Sequence, residues 1–470
     1  MFMSTSLKTR IRLFLTLAIV SLIASVLLNL NGCAGTSSSL HTTTPPQFQH
    51  IVVIFQENRS TDNLFHDPVL ISRGADIASS GVNSKGQTIT LTQNDLVNSY
   101  DLGHRHADFV AMYDAGKMDG ADLTQVDCNS GATNCTPPNV QFTYVNPAEI
   151  QPYFAMAEQY TFGDRMFQTN QGPSFPAHQF IISGTSAPSV GSDLFAAENL
   201  NQASENAGCI AAPNITVALI DPSGNESQSS YPCYEHPTLT DLLNQKGISW
   251  KYYAPSPGSI WTAPNAIQHM CGPNNPPPNG TQCTGSDWVN NVSLQSTSNP
   301  APILTDISNN KLPAVSWVIP SAANSDHGNE TDGNGPSWVA SIVNAIGNSP
   351  YWANTAILIS WDDWGGWYDH VAPKIINSYE YGFRVPLIVV SPYAKPQYIS
   401  HATHDFGSIL KFIEEDYGLP SLGYADASAD DLSDCFNLKQ QPLTFQTISA
   451  PVGADFFRHD QRTPEGPDND

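Results

Sequence analysis

Short apolar segments rich in Val, Ile and Leu constrain the fold of this chain more than any other feature. Four of them are candidate strands: His50–Phe55, Leu312–Ile319, Thr355–Ser360 and Val385–Val390. Their nearly continuous apolar character is typical of strands that are buried on both faces. Helical patterns lie between them, including Trp338–Ile346 and Phe406–Tyr417. We therefore predict an α/β fold with a central, mostly parallel sheet flanked by helices.

Acidic and amide side chains directly follow two of these runs. Glu57 and Asn58 come after the first, and Asp362 and Asp363 come after the third. Ligands of open α/β sheets bind beyond the carboxyl ends of the strands, and oxygen donors suit a hard or borderline divalent cation. Two adjacent buried carboxylates also repel each other unless a cation is present. We predict a divalent metal site without assigning the metal, the alternatives being helix caps or an exposed acidic turn.

A serine at the start of a predicted helix is the candidate nucleophile. Ser174 lies in the first turn of a helix that continues through Ile182, and Pro176 fits that turn because its missing N–H has no helical partner there. The N–H groups and the dipole at a helix start stabilise an alkoxide and a phosphate. A cation coordinated by the hydroxyl would activate it. We predict Ser174 as nucleophile and metal ligand, the alternative being a simple capping serine.

Three histidines are candidates for contact with a substrate. His104 and His327 lie in glycine-containing loops beside an aspartate, and a histidine oriented by a carboxylate can donate to an oxyanion or protonate a leaving group. We predict that these two are catalytic, although each could equally be a structural histidine. His269 is a weaker candidate for substrate binding.

The charge balance excludes one class of partner. The formal net charge is −24, from 43 acidic and 19 basic residues, and no Lys/Arg cluster occurs beyond the N-terminus. Nucleic-acid binding requires basic side chains that neutralise phosphates, so we predict no nucleic-acid partner. A phosphate-ester small molecule or a phospholipid head group remains suitable if a metal supplies the local positive charge.

The N-terminus predicts export. Basic residues precede the apolar run Leu13–Leu30, and Cys33 follows the small residue Gly32, so we interpret residues 1–33 as a signal peptide. Its end resembles a bacterial lipoprotein processing site, the alternative being ordinary cleavage nearby. We expect a periplasmic, envelope-anchored or secreted protein whose only membrane contact would be an N-terminal lipid anchor, where one is attached. A polar tether, 34–47, then leads to one domain over 48–470.

The cysteine spacing predicts disulfides, because export places the chain in an oxidising compartment. Six of the cysteines form local pairs, Cys128 with Cys135, Cys209 with Cys233, and Cys271 with Cys283. Cys435 is left over or pairs with Cys33. The stretch from about 187 to 300 is rich in Asn, Ser, Gly and Pro and carries four of these cysteines. We predict that it is a cap-like insertion stapled by disulfides.

Several motifs in the chain share one order and spacing with a known family. They are Glu57-Asn58-Arg59-Ser60, Asp101-x-x-His104, Gly116-Lys117-Met118-Asp119-Gly120, Gly172-Pro173-Ser174-x-Pro176, Asp326-His327 and Trp361-Asp362-Asp363-x-Gly365-Gly366-x-Tyr368-Asp369-His370-Val371. The combination resembles the bacterial phosphoesterase family of acid phosphatases and phospholipases C over about residues 48–435. That family belongs to the alkaline phosphatase-like superfamily, so the resemblance implies an α/β sandwich.

The resemblance also implies roles for individual residues. Glu57, Asn58, Asp362 and Asp363 would hold the metal together with the nucleophile Ser174, while His104, His327 and His269 would contact the phosphate. Serine at 174 and aspartate at 363 match the acid phosphatase members, since phospholipase C members tend to carry threonine and glutamate there.

We therefore expect hydrolysis of phosphate monoesters through a phosphoserine. The alternatives are a phospholipase C or other phosphodiesterase and, more remotely, a metal-stabilised surface binding module. A sulfatase is disfavoured because His178 stands where the sulfatase motif has arginine.

Overall fold

The computed structural model of the protein describes residues 47–128, 135–202, 204, 206–464 and 466. The predicted signal peptide, 1–33, and nearly all of the predicted tether, 34–47, lie outside these residues, so export and lipidation stay predictions. Within the described part of the chain, no helix combines the length and the apolar character that crossing a membrane requires.

An eight-stranded sheet forms the centre of the described chain. Its strands are β1 (His50–Gln56), β2 (Thr161–Gly163), β3 (Trp250–Ala254), β4 (Val292–Leu294), β5 (Val315–Val318), β6 (Thr355–Trp361), β7 (Leu387–Val390) and β8 (Tyr398–Ser400). Their spatial order is β4-β3-β5-β1-β6-β7-β2-β8. Strand β7 runs antiparallel to both of its neighbours, and the other pairs are parallel. The predicted α/β class with a mostly parallel central sheet is confirmed.

The four predicted strands are those that lie in segments rich in Val, Ile and Leu. All four are strands of the sheet, β1, β5, β6 and β7, with ends that differ from the predictions by at most three residues. Strand β1 lies in the middle because its apolar side chains are buried on both faces. Four further strands were not predicted, since β2, β4 and β8 have three residues each and β3 contains Lys251.

Helices cover both faces of the sheet. The longer ones are α1 (His106–Tyr113), α2 (Gln151–Gln159), α3 (Ser174–Ser183), α4 (Leu239–Lys246), α5 (Pro302–Ser308), α6 (Gly335–Gly347) and α7 (Phe406–Tyr417). Phe55 of β1 packs against Phe406 of α7 with ring centroids 5.2 Å apart. Trp361 of β6 packs against Tyr153 of α2 at 5.0 Å. Because neighbouring positions of a strand point to opposite faces and Trp361 pairs with Gln56, which follows Phe55, α2 and α7 lie on opposite sides of the sheet.

All three predicted disulfides are present, Cys128–Cys135, Cys209–Cys233 and Cys271–Cys283. Cys435 is buried and bonds to no cysteine in the described part of the chain. The segment from 187 to 300 is not wholly peripheral, since it supplies β3 and β4 to the central sheet. Its other part includes a three-stranded antiparallel sheet made of Phe195–Leu200, Val217–Ile220 and Gln228–Ser230. The prediction of a cap-like insertion can therefore apply only to the parts of this segment outside β3 and β4.

Candidate active site

The carboxyl ends of β1 and β6 bring the pair Glu57 and Asn58 close to the pair Asp362 and Asp363. These adjacent parallel strands end in register, with Gln56 opposite Trp361, so the next residues of each leave the sheet side by side. The backbone N–H of Asn58 donates to Asp362 Oδ1 at 3.1 Å, and the same oxygen accepts from the N–H of Asp363 at 2.8 Å. Glu57, Asn58, Asp362 and Asp363 are all fully buried.

A glycine makes this close approach sterically feasible. Gly365 follows the acidic pair with φ +60°, and a Cβ placed on it would lie 2.3 Å from the carbonyl oxygen of Asn58. Asn58 itself has φ 57°, a conformation that asparagine tolerates better than most residues. The two turns therefore pack backbone against backbone, which only a residue without a side chain allows at position 365.

The first residue of α3 contacts the acidic cluster. Ser174 is buried, and its hydroxyl donates to Asp363 Oδ2 at 3.1 Å. The next N–H of the helix, that of Phe175, donates to Asn199 Oδ1 at 2.9 Å. The structure thus brings the predicted nucleophile and the four predicted acidic and amide ligands into one site.

Several oxygens of this cluster have no hydrogen-bond partner among the described residues: both carboxylate oxygens of Glu57, Asn58 Oδ1 and Asp362 Oδ2. Buried polar atoms are costly when unsatisfied. Burial, together with the charge of Asp362, raises the pKa of Glu57 well above its usual range. The same two causes raise the pKa of Asp363 to about 7. Carboxylate and amide oxygens directed at one another in this way fit a divalent cation.

His104 and His327 border the cluster. In each ring Nδ1 lies 2.7 Å from a backbone carbonyl oxygen, that of Leu102 or of Gly328. A carbonyl oxygen only accepts, so the neutral rings carry hydrogen on Nδ1 and present a lone pair at Nε2. Asn58 Nδ2 donates to His104 Nε2 at 3.1 Å. That hydrogen bond fixes the orientation of the Asn58 amide, so that its Oδ1 remains available as a ligand atom in the acidic cluster.

The two histidines also act on the acidic cluster through their charge. Their ring centroids lie 6.3 Å apart. When protonated, both oppose the rise in the pKa of Asp363. His104 and His327 are therefore within electrostatic reach of the predicted metal ligands.

His269, predicted as a substrate contact, lies elsewhere. Its ring sits between two carboxylates, at 2.8 Å from Glu235 and 3.2 Å from Asp241. Burial lowers the pKa of His269, but the two carboxylates outweigh it and raise that pKa to about 9. Its neighbour His236 contacts Ser183 at the far end of α3, about 14 Å along the helix from Ser174. The ionic contacts of His269 are therefore with Glu235 and Asp241 and not with the acidic cluster.

Sequence reasoning missed two residues beside the cluster. His178 Nε2 lies 3.3 Å from Glu57 Oε1 and 3.7 Å from Asp362 Oδ2, and burial lowers the pKa of His178 to about 4. The ring of Trp261 lies 6.4 Å from that of His178 and 5.9 Å from that of His327. The spacing of four residues after Ser174 was the available signal for His178, since it places both side chains on one helix face. Trp261 gives no comparable signal.

Fold and site together define an α/β protein with a buried, oxygen-rich cluster and a helix-terminal serine beyond the carboxyl ends of its sheet. The sequence model of the Phosphoesterase family matches residues 48–420. The chain belongs to that family.

Several proteins similar to this chain are named phospholipases C. Phospholipase C B of Mycobacterium tuberculosis is 25% identical over 452 residues, covering 84% of this chain and 78% of the relative. Hemolytic phospholipase C of Pseudomonas aeruginosa is 23% identical over 439 residues, covering 81% of this chain and 54% of the relative. The chain thus spans about half the length of that second relative.

Among solved structures, a protein of the alkaline phosphatase superfamily from Vibrio parahaemolyticus is 10% identical, with 82% of this chain and 72% of that chain covered and a TM-score of 0.36. A similarity this low carries no weight for the function.

Proposed function

We propose that the protein hydrolyses phosphate monoesters through a phosphoserine at Ser174, with the help of a divalent cation. The observation that carries this proposal is the 3.1 Å contact between Ser174 Oγ and Asp363 Oδ2, at the edge of a cluster of buried oxygens without hydrogen-bond partners in the described chain. Family membership supports a reaction at a phosphate ester.

The residues that would hold the cation are Glu57, Asn58, Ser174, Asp362 and Asp363. When bound, the cation supplies positive charge to the phosphoryl oxygens and lowers the pKa of the serine hydroxyl. Its identity is part of the test below.

The protein's own groups perform the remaining steps. Asp363 Oδ2 accepts the proton of the Ser174 hydroxyl, and the positive end of α3 attracts the phosphate. The Ser174 oxygen then bonds to phosphorus while the bond from phosphorus to the ester oxygen breaks. His327, in its protonated form, donates the Nε2 proton to the departing alcohol. In the second step His327 accepts a proton from water as the water oxygen bonds to phosphorus, the bond from phosphorus to the Ser174 oxygen breaks, and Asp363 returns its proton to Ser174 as inorganic phosphate leaves. His104 holds the amide of Asn58 in place by accepting from its Nδ2, and the predicted contact of His104 with the phosphate would require a protonated Nε2 instead.

A phospholipase C or other phosphodiesterase activity is the second candidate. The names of the relatives favour it, whereas serine at 174 and aspartate at 363 favour the monoesterase. A metal-stabilised surface binding module, the third possibility, predicts bound metal and no ester hydrolysis.

The location of the protein is also part of the proposal. We propose export, with residues 1–33 acting as a signal peptide and Cys33 as the site of lipid attachment. The three disulfides support an oxidising compartment.

The test compares wild type, Ser174→Ala and Ser183→Ala on p-nitrophenyl phosphate and on p-nitrophenyl phosphorylcholine, with the metal content of each protein measured. Ser183 is a matched control, a buried serine at the other end of α3 whose hydroxyl donates to the carbonyl of Gln179. We expect faster turnover of the monoester and a loss in kcat of about 10³-fold or more for Ser174→Ala only. Full activity of Ser174→Ala would exclude the serine as nucleophile, and preference for the diester would favour phospholipase C.

A further inference from the structure

His178 presents a ring nitrogen to the acidic cluster. It lies one helical turn after Ser174, and its Nε2 is 3.3 Å from Glu57 Oε1 and 3.7 Å from Asp362 Oδ2. The three atoms are fully buried, and none has a hydrogen-bond partner among the described residues. Glu57, His178 and Asp362 each offer one ligand atom, and these atoms all lie within 4.8 Å of one another, which is close enough for one ion to contact all three.

The hydrogen bonds behind the ring define its tautomer. The hydroxyl of Tyr252 donates its single hydrogen to the carbonyl of Trp261 at 2.8 Å. Its oxygen can therefore only accept from His178 Nδ1, which lies 3.3 Å away. A neutral imidazole carries one hydrogen. Because that hydrogen is on Nδ1, the Nε2 atom presents a lone pair to the carboxylates.

A lone pair directed at two carboxylate oxygens is repulsive in a buried site unless a positive charge lies between them. The contact between Nε2 and Glu57 Oε1 does not have the geometry of a hydrogen bond, so a shared proton does not account for it. Donor atoms that bond to one ion at about 2.1 Å lie about 3.0 to 3.4 Å from each other, depending on the coordination geometry. The observed separations are close to that range.

We infer that His178 Nε2 is a further ligand of the cation, and that the site therefore binds a borderline ion such as Zn²⁺ in preference to Mg²⁺ or Ca²⁺. Imidazole is a good ligand for zinc and its neighbours in the first transition series, whereas Mg²⁺ and Ca²⁺ select oxygen. The inference rests on the proposed metal site and adds a nitrogen ligand to its five oxygen-bearing residues.

Zinc binding to the full, metal-stripped chain tests the inference. His178→Asn keeps a donor for the Tyr252 hydroxyl and removes the Nε2 lone pair. We expect its Zn²⁺ affinity, measured by competition with a chromogenic chelator, to fall about 10-fold to 100-fold, with little change for Mg²⁺. X-ray absorption of the zinc-loaded proteins should show less imidazole scattering in the variant than in wild type.

His236→Asn is the matched control. His236 is also buried against α3, but its ring nitrogens are engaged by the Ala187 carbonyl at 3.0 Å and the Ser183 hydroxyl at 3.1 Å. Its replacement should leave zinc affinity and the absorption spectrum unchanged. If His178→Asn does not fold, His178→Gln is used for the X-ray absorption measurement instead. We expect this variant to retain zinc through its side-chain oxygen and to lose the imidazole scattering.

The outcomes separate the inference from the proposed function. Unchanged zinc affinity and an unchanged spectrum in the His178 variant overturn the inference and leave the phosphoesterase proposal intact. A wild-type protein that hydrolyses phosphate esters but binds neither Zn²⁺ nor Mg²⁺ overturns the metal site, and the inference with it.

Discussion

Glu57 has two buried carboxylate oxygens that no described residue satisfies. Replacing it by glutamine preserves the shape of the side chain and removes its charge. We expect Glu57→Gln to bind Zn²⁺ poorly, so that added zinc no longer raises the melting temperature. Wild type should gain about 3 kcal/mol at zinc concentrations a hundred times the Kd. Thermal melts of both proteins with and without zinc make the comparison, and equal stabilisation of the two would contradict the metal site.

His370 gives the protein a pH-dependent contribution to stability. Its Nδ1 is 2.7 Å from Asp62 and its Nε2 3.0 Å from Asp76, while Arg384 pairs with Asp369 and Asp62 in the same cluster. Burial lowers the pKa of His370, but its bond to Asp62 and the nearby carboxylates outweigh this and raise that pKa to about 9, above the usual 6.5.

The sign of the effect follows from this raised pKa. The folded protein holds the proton more tightly than the unfolded chain, so the contribution is complete below pH 6.5 and is lost as the pH rises to about 9. We expect His370→Gln to lose stability less steeply than wild type over that interval, in denaturant unfolding at several pH values. His459→Gln, at an exposed histidine, is the control, and parallel curves for wild type and His370→Gln would refute the prediction.

Much of the site is visible in the sequence at the residue scale. Glu57, Asn58, Asp362 and Asp363 follow buried strands directly, so topology alone predicts that they meet. The position of His269 could not be predicted, because it depends on which carboxylates its short helix approaches. The contact of His178 with the cluster depends on the tilt of α3 over the sheet, which a linear pattern does not encode.

The turn after β6 shows how one element depends on another. The methyl group introduced by Gly365→Ala would clash with the carbonyl oxygen of Asn58. The backbone at this position would also be strained, because its φ is +60°. Gly423→Ala is the matched control, since Gly423 has φ +86° and a Cβ added there would meet no atom within 4 Å. We expect the control to lose only about 1 kcal/mol of stability.

Gly365→Ala should lose more stability than the control, and also zinc affinity, because the clash separates the two loops that carry the proposed metal ligands. Chemical denaturation and chelator competition measure the two effects. Equal losses of stability in the two variants, with zinc affinity unchanged in both, would show that the close approach has no role in the site.

The strands that could be predicted differ physically from those that could not. Strands β1, β6 and β7 contain uninterrupted apolar runs, and β5 is apolar apart from Ser316, because both of their faces are covered. Strands β2, β4 and β8 have three residues, too few for a periodic pattern. They are strands because the neighbouring strand offers free hydrogen-bonding groups, which is tertiary information.

At the scale of the whole molecule, the disulfides make unequal contributions. Cys209–Cys233 spans 24 residues of sequence and Cys128–Cys135 spans 7. In the chain-entropy account, a longer loop loses more freedom in the unfolded state, which gives about 3 and about 2 kcal/mol respectively. Unfolding of the two double serine variants in denaturant measures the difference. A larger loss on removing the shorter loop would contradict this account.

The fold class could be predicted from the chain as a whole, since strands and helices alternate along it. The extent of the insertion could not be, because the polar composition of 187–300 conceals β3 and β4. Trp250–Ala254 carries aromatic and charged side chains, and its assignment to the sheet depends on parallel pairing with β5, a distant segment.

The central position of β1 has a consequence for how the protein is made. This strand is synthesised early, yet its two neighbours in the sheet begin at Val315 and Thr355. Because these neighbours are so distant in sequence, the ribosome must complete most of the chain before β1 can pair with either of them. Contacts of this kind also slow folding. The two loops that would hold the cation meet only after β6 has been made, and we therefore expect a nascent polypeptide to be without activity until its last third has emerged.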